Sequence, residues 1–94
     1  MELIKIIKEN KIDDGWEFIV QIGDSENYQY KVHLNEEYYK KLTDEEIKPG
    51  QLIEKSFQFL LEREPKTSIL KEFNLEIINK YFPEYEENIY SSKN

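Results

Sequence analysis

An α+β domain, with three antiparallel strands in a meander followed by three helices packed on one sheet face, is what this 94-residue sequence predicts. Three observations carry that expectation. Trp16, Phe18, Val20 and Ile22 alternate with Glu17, Ile19 and Gln21, the period of a half-buried strand. Tyr28, Tyr30, Val32 and Leu34 alternate in the same way with Gln29, Lys31 and His33. Between Pro49 and Arg63 the period changes to that of a helix, and Leu52, Ile53, Ser56, Phe57, Phe59, Leu60 and Leu61 cover about half of its circumference. A helix that apolar belongs at the centre of the core, against the apolar face of the sheet.

The elements follow in order. Residues 2–9 are rich in β-branched isoleucine and form the first strand, and Asp13-Asp14-Gly15 turns it into the second. Gly23 to Asn27 supply turn chemistry before the third. Asn35 caps a short helix, EEYYKKL, with early Glu36 and Glu37 and late Lys40 and Lys41 placed to suit its dipole. Thr43 and Glu46 have capping-box spacing, but Pro49 follows too soon for more than one turn. Pro49 opens the central helix, where its missing N–H costs nothing, and Pro65 closes it by driving Glu64 out of the α region. Asn74 caps a third helix, with Phe73 and Ile78 spaced as a hydrophobic staple, which runs through Tyr81 to Pro83. Residues 1–88 make a single domain, and residues 89–94, anchored only by Ile89 and Tyr90, make a frayed tail.

Composition narrows the function classes. The net charge is −7, with 6 basic and 12 acidic residues up to Ile47 and 7 and 8 after it, so phosphate backbones are repelled and nucleic acid is an unfavoured partner. No cysteine is present, which removes disulfides, thiolate metal sites and a cysteine nucleophile together. No apolar run reaches the 18 or so residues of a membrane span, and MELIKIIKEN lacks the uninterrupted apolar core of a signal peptide, so a cytoplasmic location without membrane attachment is expected.

The segment from Lys48 to Tyr85 organises the chain and also carries a resemblance. Ser56-Phe57, Phe59 through Lys66, Ser68-Ile69-Leu70, Phe73 and Tyr81-Phe82-Pro83-Glu84-Tyr85, with Trp16-Glu17-Phe18 and Tyr38-Tyr39 upstream, resemble a family of short uncharacterised prokaryotic proteins sharing an SFxFLLEREPKxSIL…YFPEY pattern. The resemblance implies no activity, cofactor or catalytic residue.

His33 is the sole histidine and falls on the polar face of its strand, where it reads as a surface residue and no serine or aspartate neighbours it as in a triad. Glu62, Arg63 and Lys66 cluster at the end of the central helix, where Arg63, the sole arginine, either ties the helix to its connection or binds an anion or partner. Asp44-Glu45-Glu46 and Glu84, Glu86 and Glu87 lack the spacing of a calcium loop and read as solvated charge. Tyr81, Phe82, Tyr85 and Tyr90 form an aromatic string that is either core rim or contact patch. The candidate binding residues are therefore Arg63, Lys66, Glu62, His33 and Tyr85, with no catalytic residue, metal ligand or cofactor assigned. The expected function is that of a small cytoplasmic protein-interaction or regulatory module without catalytic activity, working on a protein partner or as a homodimer. The alternatives are a nucleic-acid-associated protein and a small enzyme.

Overall fold

The computed structural model describes residues 3–92, so Glu2 of the expected first strand and the last two residues of the expected tail lie outside the described residues. The chain folds as α+β, but the sheet has four strands and is mixed. Strands β1 (Ile4–Ile12), β2 (Gly15–Ile22) and β3 (Gln29–Asn35) form the antiparallel meander that the alternation predicts. A fourth strand, β4 (Glu72–Asn74), pairs parallel to β3 through Lys31↔Glu72, Val32↔Phe73 and His33↔Asn74, giving the order β1-β2-β3-β4. At three residues β4 is too short to show any period in sequence. Only its pairing with β3, about forty positions back, defines it.

Phe18, Val20, Ile22, Tyr30, Val32 and Leu34 are buried on one sheet face, as their alternation requires. On the other face Gln21 departs from expectation. It is buried, sheltered by Gln29, whose Nε2 donates to Gln21 Oε1 at 2.9 Å, while its own Nε2 donates to the Gly23 carbonyl. Tyr28 also departs, lying outside the strand in a 3-10 turn (Glu26–Tyr28) that the Ser25 side chain caps. In β1 a bulge at Ile7 shifts the register between Ile6 and Lys8. Ile4 and Ile6 share the core side with Ile22 and Val20, whereas beyond the bulge Glu9 and Lys11 stand beside Phe18 and Trp16 and remain exposed.

Among the described residues the helices number four, against an expected three. In α1 (Glu36–Thr43) Asn35 caps as predicted, its Oδ1 accepting from the N–H groups of Glu37 and Tyr38 at 2.9 and 3.2 Å. Between α1 and α2 the chain makes a turn but no helix, closed by the Glu46 N–H donating to the Thr43 carbonyl at 2.9 Å. Asp44 and Glu45 both take positive φ (52° and 61°), held by buried Thr43, whose Oγ1 donates to the Tyr39 carbonyl and accepts from the Glu45 N–H. Helix α2 (Pro49–Arg63) has the predicted limits, and Leu52, Ile53, Ser56, Phe57, Phe59 and Leu60 are buried along it.

The expected third helix is broken. A 3-10 turn (Leu75–Ile77) runs into one short turn, α3 (Ile78–Tyr81), and the Asn74 side chain makes no cap because it bonds to His33 instead. The expected frayed tail begins within a helix, α4 (Tyr85–Ser92), with Tyr85 and Ile89 fully buried. Its first turn is tied to α1 by the Tyr38 hydroxyl, which donates to Glu86 Oε2 at 2.9 Å.

Candidate binding surface

The predicted site residues do not converge. Glu62 and Arg63 sit together at the end of α2, where the Arg63 guanidinium lies 3.6 Å from the centroid of the Phe59 ring. Its Nε donates to Glu84 Oε2 at 3.0 Å, and its Nη1 donates to the Phe59 carbonyl and to Glu62 Oε1. Arg63 thus fastens the end of α2 to the turn ahead of α4. A backbone hydrogen bond and the guanidinium together hold the Glu84 carboxyl below the usual carboxylate range. Phe59 in turn packs edge-on to Tyr85, with ring centroids 5.2 Å apart. Tyr85 is therefore a core residue beneath the cluster, its hydroxyl 2.5 Å from Ser56 Oγ and its acidity suppressed by burial. The ammonium of Lys66 lies 4.1 Å from the Tyr28 ring centroid, where Lys71 also approaches, and Lys66 borders a depression that Glu62 also lines.

His33 stands apart on the open sheet face. Its Nδ1 lies 2.7 Å from Asn74 Oδ1 and its Nε2 lies 3.1 Å from Asp14 Oδ1, so the ring bridges the β1–β2 turn, β3 and β4. Partial loss of water depresses its pKa, but the hydrogen bonds to Asn74 and Asp14, with the charges of Asp14 and Glu17, outweigh that and raise it above the ordinary value. Only the imidazolium donates from both nitrogens, so protonation completes both contacts. Folding therefore favours the protonated ring, and its stabilisation is present below the ordinary pKa and lost as pH rises through the folded value. The gap in melting temperature between the wild type and His33→Gln is expected to shrink from about pH 5.5 to about pH 8. A gap independent of pH would show that the ring acts only as a neutral link.

Sequence reasoning missed a groove beside the end of α2. A cavity of about 380 Å³ opens between α2, the 66–71 connection and α3, floored by Leu60, Ile69, Phe73 and Ile78 and rimmed by Leu70, Ile77, Tyr81 and Phe82. Leu70 and Tyr81 are 49% and 65% exposed. The signal in sequence was the pair Ile69-Leu70, of which the fold buries one and presents the other. A second depression, of about 680 Å³, mixes apolar Ile4, Leu61 and Pro65 with polar Gln58, Glu62, Lys66 and Thr67, and Glu64 lines both. Near His33 a smaller one of about 190 Å³ is lined by Glu17, Lys31, Glu72 and Asn74. Among the described residues no group of three or more His, Asp or Glu is placed to hold a metal ion, and no helix is long and apolar enough to cross a membrane.

Fold and surface together define a small α+β domain with a polar open sheet face and an apolar groove at its flank. Comparison with models of known protein families, with curated proteins and with solved structures returned no match.

Proposed function

We propose that this chain is a non-catalytic, cytoplasmic protein-interaction module that engages its partner through the groove between the end of α2 and α3. The observation that carries this reading is the clustering of exposed Leu70 and Tyr81 with Ile77 and Phe82 around an apolar floor. Exposed apolar side chains scattered singly need no explanation, whereas a contiguous set rimming a concave site marks a contact surface. Self-pairing through β1 is the less favoured route. The outer edge of β1 is unpaired among the described residues, and Leu3 and Ile7 are exposed. Yet the bulge at Ile7 interrupts that edge, and Lys5, Lys8 and Lys11 against Glu9 alone would set like charges together between two copies. The acidic surface argues against nucleic acid.

The test is affinity capture from cells of the source organism, with the wild type compared to a Leu70→Asp/Tyr81→Asp variant whose far-UV circular dichroism matches it. A protein held by the wild type and lost by the variant is the expected result. Identical captured sets would overturn the groove as the contact surface.

A further inference from the structure

The groove carries a chemical preference, set by Glu64. Pro65 forces Glu64 out of the helix into extended backbone (φ −151°, ψ 154°) while its N–H still closes α2 on the Leu60 carbonyl at 2.9 Å. This places a half-buried acidic residue where the two depressions meet. Glu64 is flanked in the chain by Arg63 and Lys66 but pairs with neither among the described residues. The guanidinium of Arg63 is taken by Phe59, Glu62 and Glu84, and the ammonium of Lys66 lies over Tyr28. Removal from water, with no compensating cation, pushes the Glu64 carboxyl above its usual range. A half-buried carboxylate with no paired cation, between the apolar groove and the mixed depression beside it, is costly in the free protein, and that cost is relieved by an incoming cation.

We propose that the end of α2 binds a cationic, apolar peptide segment of a partner protein, with a lysine or arginine paired to Glu64 and a large apolar side chain seated on Leu60, Ile69 and Phe73. This rests on the groove reading above and adds to it the kind of partner. Two adjoining depressions with a charge between them suit an extended segment better than a compact small molecule, which would fill one and leave the carboxylate unmatched. The net charge of −7 adds long-range attraction for such a segment and repels a second copy of this chain.

The experiment is selection of binders from a phage-displayed library of random peptides, followed by fluorescence anisotropy of the synthesised consensus peptide. Enriched peptides are expected to carry a lysine or arginine beside leucine, phenylalanine or tryptophan. Glu64→Gln should weaken the consensus peptide about tenfold or more, as should Leu70→Asp, whereas Glu36→Gln, on α1, should leave binding unchanged. Loss with Leu70→Asp but not with Glu64→Gln would overturn the charge preference and keep the groove. Binding indifferent to both variants, enrichment of acidic or uncharged peptides, or no enrichment would overturn the proposal. Sedimentation at micromolar concentration covers the remaining occupant: a dimer abolished by Leu70→Asp would assign the groove to a second copy.

Discussion

Phe57→Ala is expected to destabilise the domain by about 3–5 kcal/mol, enough to leave it marginal, given that domains of this kind hold about 5–15 kcal/mol in all. Phe57 has no exposed surface and stands where α2 meets the sheet, its ring 5.7 Å from that of Tyr30 on β3 and 6.1 Å from that of Phe73 on β4. Truncation removes the transfer energy of the ring and leaves a cavity that the neighbouring Tyr30 and Phe73, themselves buried and held in the sheet, cannot close by rotation alone. Leu70→Ala is the control, because Leu70 is half-exposed and its loss should stay within about 0.5 kcal/mol. Urea unfolding followed by tryptophan fluorescence measures both. If the two variants shifted the midpoint equally, α2 would not be the centre of the core.

Gly15→Ala is the second large effect, and its cause is backbone rather than side chain. A Cβ built at Gly15 falls 1.9 Å from the Leu34 carbonyl oxygen and 2.9 Å from its carbon, so the methyl group and β3 cannot both keep their places. Neither strand is free to yield. Gly15 pairs with Ile12 on one side and Asn35 on the other, and the neighbouring Asp14 carbonyl accepts the N–H of Glu36 at 2.8 Å. Relief requires opening the β2–β3 ladder at the end that Asn35 uses to start α1, so a cost of about 3 kcal/mol or more is expected, at the upper end for overpacking. Amide exchange should show the loss spreading from Gly15 and Asn35 into the first turn of α1. Wild-type stability within about 0.5 kcal/mol would mean that the approach of β2 to β3 is looser than 1.9 Å implies.

Features fixed by neighbours in the chain are legible in the sequence itself. The alternation in β2 and β3 follows from the pleat, the limits of α2 from Pro49 and Pro65, and the start of α1 from the short Asn35 side chain reaching N–H groups two and three residues on. Features fixed by distant partners are not. Asn74 has the chemistry of a helix cap, and what diverts it is the imidazole of His33, 41 positions earlier. Ile89 lies in a segment with the polarity of a tail, and only the packing of α4 on α1 and α2 gives it somewhere to be buried. Arg63 is recognisable as a cation at a helix end, but its choice of Glu84 and Phe59 depends on how α4 returns to α2.

The candidate surface divides along the same line. Sequence alone determined that this is a single-core α+β chain with an apolar helix over an alternating sheet, because periodicity, turn residues and caps act over a few positions and leave their mark there. The tertiary structure alone decided that β4 joins β3 in parallel, that Leu70 and Tyr81 come to rim one groove, and that Glu64 borders two depressions while Arg63 is engaged by Glu84 and Phe59 and Lys66 lies over Tyr28. Each of those depends on which residues far apart in the chain meet when the core closes, and the burial of apolar surface that drives the closure carries no direction a local pattern could record.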